Sequence, residues 1–273
     1  MSRFRNVVVS EPLPASAVRL FTLDSPALRR RGEMSVWMPD EPTGEPLPLL
    51  ILLHGVYGSH WNWWALGHAP ETAQAMIDAG EVRPFAIAMP SDGLWADGSG
   101  YVPHRDFDAE AWVMEDVPGC LAEVFPAIRA DHFYLGGLSM GGFGALRMGM
   151  KYPEKVLGIS AHSAVTRLED LAAHVSEAID DYRFSGAENT DIAHWAQVNR
   201  MHLPPIRFDC GRDDALLESN RALHAMLVQR GIPHSYEEHG GGHTWKYWQA
   251  HVRSTFRFVS DLERRPRNAS QRG

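Results

Sequence analysis

Residues 132–150 read HFYLGGLSMGGFGALRMGM. An apolar run, His132–Leu135, passes through glycines and a serine straight into the helical pattern Phe143–Met150, so a strand, a sharp turn and a helix follow one another without a linker. Gly137-x-Ser139-x-Gly141 at the turn is the element that holds a serine hydroxyl up at a bend where larger flanking side chains would clash. Taken alone, the pattern also fits a plain glycine-rich helix entry; its setting between strand and helix is what gives it chemical meaning. Gly136-Gly137 is not a phosphate loop, because the lysine and hydroxyl of that motif are missing.

Outward from this turn, short apolar runs alternate with longer helical patterns. Leu49 to Leu53 is unbroken apolar sequence, as a strand covered on both faces requires. Similar runs lie at Phe85–Met89, Val156–Ser160, Ile206–Cys210 and Ser235–Glu238. Helical patterns lie at Thr72–Ala79, at Asp106–Phe125 with Pro118-Gly119 interrupting it, and at Met140–Lys151, Glu218–Arg230 and Thr244–Leu262. The first candidate strands, Asn6–Val9, Val18–Thr22 and Glu33–Trp37, are separated by turn-rich segments and read as an antiparallel meander. The alternation predicts an α/β fold whose mainly parallel central sheet has about eight strands flanked by helices. Ligands of such sheets bind beyond the carboxyl ends of the strands, so the chemistry is expected just after each strand.

The chain has 273 residues, 44% of them hydrophobic and 22% charged, enough for one large core. A formal net charge of -8 argues against a nucleic-acid partner, which needs a basic face. Arg264, Arg265, Arg267 and Arg272 cluster at the end, and 265–273 reads as a disordered basic tail. Its sequon, Asn268-Ala269-Ser270, reads as chance. Cys120 and Cys210 each sit in apolar sequence and read as reduced core thiols. Near the start, Val7-Val8-Val9 is too short for an export signal or a membrane span, so a cytoplasmic protein is expected. The oligomeric state stays open between a monomer and a homodimer.

A serine hydroxyl is a poor nucleophile until a base takes its proton, so Ser139 calls for a histidine and an acid after later strands. Gly211-Arg212-Asp213-Asp214 follows the run Ile206–Cys210, and Gly240-Gly241-Gly242-His243 follows Ser235–Glu238. His243 stands out among 14 histidines because it alone follows the last strand behind a glycine triplet. Either Asp213 or Asp214 could orient its imidazole. A metal site at His234, His239 and His243 is disfavoured, because these positions span a strand end and a glycine turn rather than one helical face. No metal and no cofactor is expected. An oxyanion hole would use the amide of Met140 and a second amide from His54-Gly55-Val56-Tyr57-Gly58, with Val56 the candidate.

These motifs resemble the esterase D-like or "putative esterase" family of the α/β-hydrolases, whose neighbourhood includes tributyrin-type esterases, S-formylglutathione hydrolases and mycolyltransferase antigens. The resemblance rests on Leu53-His54-Gly55-x-x-Gly58, Gly137-Leu138-Ser139-Met140-Gly141-Gly142, Cys210-Gly211-x-x-Asp214 through Asn220-Arg221, and Gly241-Gly242-His243-x-Trp245. It implies one α/β-hydrolase domain over 1–264, and it implies Asp214 as the acid, since Asp214 precedes the apolar pair Ala215-Leu216. It further implies that short acyl esters, small-molecule substrates, are hydrolysed through an acyl-serine. The same intermediate serves an acyltransferase with an alcohol acceptor, and a non-catalytic binding protein of this fold is a second alternative.

Tyr57, Trp61, Trp95 and Trp245 are the candidate substrate-pocket residues, while Trp63 and Trp64 read as core staples. The polar loop Asp92–Tyr101 suits a hydroxylated alcohol or acyl portion. Residues 165–201 show no single period and read as a short cap or lid insertion.

Overall fold

The computed structural model describes residues 3–14, 16–40 and 44–264. The tail 265–273 and its sequon lie outside the described residues. Among the described residues, nine strands form one sheet, one at each of the nine candidate runs: β1 (Arg5–Val9), β2 (Arg19–Ser25), β3 (Arg30–Trp37), β4 (Leu47–Leu53), β5 (Ala86–Pro90), β6 (Ile128–Leu138), β7 (Val156–His162), β8 (Ile206–Gly211) and β9 (Ser235–His239). Their order is β1-β2-β3-β5-β4-β6-β7-β8-β9. The first three strands form an antiparallel meander that joins β5, and the strands from β5 to β9 run parallel.

The helices are α1 (Asn62–Ala65), α2 (Ala69–Asp78), α3 (Ala109–Ala111), α4 (Val117–Val124), α5 (Met140–Lys151), α6 (Ile192–Val198), α7 (Leu217–Gln229) and α8 (Trp245–Arg264). Strand β4 shows how one sequence run builds two core layers. All seven of its residues are buried. Because side chains alternate along a strand, Leu49, Ile51 and Leu53 join Trp112, Phe143 and Leu227 on one face, and Leu50 and Leu52 join Met76, Trp248 and Phe256 on the other. Helix α8 meets that second layer with Trp248, Val252, Phe256 and Val259, spaced three or four apart so that one stripe faces the sheet.

Pro118-Gly119 does not interrupt its helix. The helix begins later than Asp106, at Ala109, where the Asp108 carboxylate caps the Ala111 amide at 2.8 Å. A wide π-turn over Trp112–Asp116 then leads into α4, with the Val117 N–H bonded to the Trp112 carbonyl five residues back. A proline ring strikes the carbonyl four residues before it in a regular helix, and the wide turn relieves that clash.

Two neighbourhoods of the sheet position the site. Leu53 at the end of β4 is in register with Gly137 in β6, so the 54–58 loop and the serine turn leave the sheet side by side. Gly211 in β8 is in register with His239 in β9, which brings the acid loop next to the histidine loop. Residues 165–201 hold three 3-10 turns, Leu168–Ala173, Ile179–Arg183 and Ala187–Thr190, followed by α6. No helix among the described residues is long and apolar enough to cross a membrane.

Candidate active site

Ser139 has φ 54 and ψ −121, a backbone conformation that L-residues avoid. Its surroundings hold it there. The Ser139 N–H donates to the His162 carbonyl at 3.0 Å, and its own carbonyl accepts from the Val165 and Phe143 amides at 3.1 Å each. Close backbone approach explains both flanking glycines. A Cβ on Gly137 would lie 2.3 Å from the Gly141 carbonyl oxygen, and one on Gly141 would lie 2.3 Å from that of Leu53.

The structure brings Ser139, His243 and Asp214 into one line. His243 Nε2 lies 3.0 Å from Ser139 Oγ, and His243 Nδ1 lies 2.8 Å from Asp214 Oδ2. Asp214 is buried, whereas Asp213 faces solvent. The second Asp214 oxygen accepts from the Leu216 amide at 2.9 Å. Burial pushes the Asp214 carboxyl up, but the hydrogen bonds from His243 and Leu216 outweigh it and hold the group below its ordinary value. An ionised carboxylate can only accept. The proton of the neutral imidazole therefore sits on Nδ1, and Nε2 offers its lone pair to the serine hydroxyl.

Met140 opens α5, so its N–H is one of the donors that a helix start leaves without an intrahelical acceptor. The 54–58 loop lies against the same serine: the position a Cβ would take on Gly55 is 3.6 Å from Ser139 Oγ. The Tyr57 N–H is turned elsewhere and donates to the Asp97 carbonyl at 2.8 Å. Gly98 packs over both candidate amide residues, since a Cβ there would sit 2.5 Å from Met140 Sδ and 3.4 Å from Val56 Cγ1.

The sequence model of the family described as "Putative esterase" matches residues 25–258. The chain belongs to this esterase family. It is 30% identical over 239 residues to an acetyl esterase of Caldicellulosiruptor saccharolyticus, covering 80% of this chain and 85% of the relative. It is 24% identical over 236 residues to an S-formylglutathione hydrolase of Paracoccus denitrificans, covering 74% and 81%. Among solved structures, a ferulic acid esterase superposes with a TM-score of 0.78 at 23% identity over 90% of this chain and 97% of that one. An S-formylglutathione hydrolase of Staphylococcus aureus gives 0.76 at 16% identity over 94% and 100%. The fold is the α/β-hydrolase fold, and the protein is an ester hydrolase.

The esterase places the predicted aromatic residues unevenly. Trp63 is a core residue, 1% exposed, whose indole N–H donates to the Leu53 carbonyl at 2.9 Å. Trp64 is half-buried and bonds Ser35 Oγ at 3.0 Å. Trp245 packs edge-on against Trp63 and Trp248, and it is Trp248 whose ring meets His243, at 4.9 Å. Trp95 contacts His104, Phe107 and Tyr182. Trp61 is 42% exposed, and Tyr57 is 70% exposed with its hydroxyl donating to the His174 carbonyl.

Two buried histidines next to the site were not singled out from the sequence. His162 gives Ser139 its carbonyl, while its ring lies between Asp209 at 2.8 Å and Thr255 at 2.7 Å. Asp209 also takes Arg207 at 2.5 Å and Tyr247 at 2.7 Å. Burial pushes the Asp209 carboxyl up, but His162 and Arg207 overcome that and hold it well below its ordinary value. Arg207 and Asp209 inside the otherwise apolar run Ile206–Cys210 were the available signal, because a buried charge needs a partner. His54 is the second, and its contacts are treated below. His234 and His239 lie apart from His243 in role: His234 pairs with His224 at 2.7 Å, and His239 stacks on His251. No group of three or more His, Cys, Asp or Glu among the described residues could hold a metal ion.

Proposed function

We propose that this esterase hydrolyses short-chain acyl esters through an acyl-serine on Ser139. The observation that carries the reading is the Ser139–His243–Asp214 line with its proton order set by an ionised carboxylate. His243 Nε2 takes the Ser139 proton as Oγ attacks the ester carbonyl, and the carbonyl oxygen becomes an oxyanion. The Val56 and Met140 N–H groups receive that charge. As the tetrahedral species collapses, the alcohol leaves with the proton held by His243. Water then repeats the sequence on the acyl-serine, freeing the acid and regenerating the hydroxyl.

The similarity to an acetyl esterase, 30% identical over 80% of this chain, supports a short acyl chain. On the same edge of the sheet as Ser139, a cavity of about 440 Å³ opens between the 91–108 loop and the 179–184 turn. Trp95, Phe107 and Phe184 give it aromatic faces, and Arg30, Asp106 and Asp181 give it charged donors and acceptors. That mixture suits a hydroxylated alcohol portion, with ring faces on the aromatics and hydroxyls on the charged groups.

A p-nitrophenyl ester series from acetate to decanoate tests the reading. Turnover should be greatest for the short acyl groups, fall steeply toward decanoate, and vanish in Ser139→Ala. For the cavity, Trp95→Ala should raise KM for an acetylated methyl glycoside and leave p-nitrophenyl acetate unchanged. Folded wild-type protein without turnover on any ester would overturn the proposal.

A further inference from the structure

An oxyanion hole works without delay only if its donors already face the reacting oxygen. We propose that His54, as a neutral imidazole protonated on Nδ1, clamps the Gly55–Val56 peptide so that the Val56 N–H is aimed before substrate binds. The inference rests on the oxyanion-hole reading above and assigns the residue that sets its geometry.

His54 follows the last residue of β4 and is 2% exposed. Its Nδ1 lies 2.7 Å from the Gly55 carbonyl oxygen, and its Nε2 lies 3.1 Å from the Asp92 amide nitrogen. A carbonyl only accepts and an amide N–H only donates, so both partners demand one tautomer: hydrogen on Nδ1, lone pair on Nε2. Burial lowers the imidazole pKa and outweighs the opposing pull of the Asp92 carboxylate. That carboxylate, 3.9 Å from Nε2, is itself occupied by the Leu94 and Ser99 amides at 2.9 and 2.6 Å.

The Gly55 carbonyl is held twice, by His54 Nδ1–H and by the Gly58 N–H at 3.2 Å. In a trans peptide the carbonyl and the next N–H point in opposite directions. Fixing the Gly55 carbonyl on the His54 side therefore turns the Val56 N–H away from the imidazole. Gly58 is part of the same device: a Cβ there would stand 2.6 Å from His54 Nδ1, in the space the ring occupies. The clamp is braced from behind. The Tyr101 hydroxyl donates to the His54 carbonyl at 3.1 Å, and the two rings meet edge-on at 5.9 Å. The Tyr101 carbonyl is gripped by Arg147 at 2.7 Å, and Arg147 is fully buried against Glu110. Without the His54 hydrogen only the longer Gly58 bond holds the Gly55 carbonyl, and the peptide turns more easily to face the developing negative charge with a carbonyl rather than a donor.

His54 is thus a positioning residue, and the test must separate positioning from simple support of the fold. In His54→Leu the donor is gone; in His54→Asn an amide nitrogen stands near the Nδ1 position and keeps it. With p-nitrophenyl acetate, His54→Leu should lower kcat by about 10²–10³-fold, the usual loss for one oxyanion donor, with KM little changed. Affinity for a trifluoromethyl ketone analogue, which becomes an oxyanion when bound, should fall by the same factor, and His54→Asn should recover most of both. If His54→Leu fails to fold, nitrogen NMR of wild-type His54 still decides the matter. The account expects a protonated Nδ1, an unprotonated Nε2 and a ring that stays neutral to lower pH than an ordinary imidazole. An Nε2–H tautomer, or a folded His54→Leu with wild-type kcat, would overturn the inference. If these results arise while Ser139→Ala remains inactive, the esterase reading stands and only the clamp falls.

Discussion

At Gly141 the backbone of β4 comes so close that a Cβ would lie 2.3 Å from the Leu53 carbonyl oxygen, whereas at Gly186, in the 165–201 segment, nothing lies within 4 Å of the same position. The first region is built from backbone packed on backbone. The second is short turns that send Leu168, Leu171 and Tyr182 into the core and are otherwise joined to the neighbouring loops by hydrogen bonds: the Tyr57 hydroxyl to the His174 carbonyl, the Ser176 N–H to the Asp97 carboxylate at 2.8 Å, and the Tyr182 hydroxyl to the Gly98 carbonyl at 2.9 Å. The difference separates two tasks. Reacting groups need fixed geometry, which dense packing supplies, while exposed turns such as the one at Gly186 have room to vary.

Substitutions should therefore differ sharply in effect between the two regions. Asp214→Asn should cost the most, lowering kcat by about 10⁴-fold because an amide lets the imidazole settle in the wrong tautomer. Steady-state kinetics on p-nitrophenyl acetate check this, with an unchanged circular dichroism spectrum as control. Gly141→Ala should destabilise the fold by about 3 kcal/mol in urea unfolding, since the new methyl meets backbone that cannot yield.

The acid limb of stability reports on the rigid side as well. Asp209 and Asp214 ionise below their ordinary range in the folded protein, so the unfolded chain takes up protons first as the pH falls. The stability they contribute is complete above the unfolded carboxyl value near ~3.9 and is lost as pH falls through the lower folded values. Urea midpoints should hold from pH 6 to about 4.5 and drop below that; a flat profile down to pH 3 would contradict the assignment.

Cys120 and Cys210 lie in the packed region, and burial pushes both thiols up to about 12. A chromogenic disulfide at pH 8 should leave them untouched until denaturant is added. Reaction of Cys210 in the native protein would show that β8 opens. The smallest effect belongs to the tether between the 54–58 loop and the 165–201 segment: Tyr57→Phe should change stability by less than about 0.5 kcal/mol. Its signature is faster proteolytic cleavage within 165–201, and equal cleavage rates would show that this tether does not hold the segment.

The same contrast explains what the sequence made legible. The run Leu49–Leu53 announced a strand buried on both faces, because each of its side chains fills one of two core layers. The serine turn was readable because its glycines mark close approach. The choice between Asp213 and Asp214 was closed from the sequence only by family resemblance; structurally it depends on which carboxylate is buried beneath the histidine loop. Trp248, three residues on from Trp245 and on nearly the same face of α8, is the ring that meets His243, a contact that depends on where the histidine loop lies over the helix. Residues 165–201 carried no period because their 3-10 turns are too short to repeat one. His54 stood inside a quoted motif, yet its role depends on Asp92, Tyr101 and Arg147, which only the folded chain brings to it.

The central claim is that Ser139 is the nucleophile. Its most direct test is to react the folded protein with a fluorophosphonate, digest it and locate the adduct by mass spectrometry. The account predicts a single adduct on Ser139 that forms more slowly in Asp214→Asn, and an adduct on another serine, or none on folded wild-type protein, would contradict it.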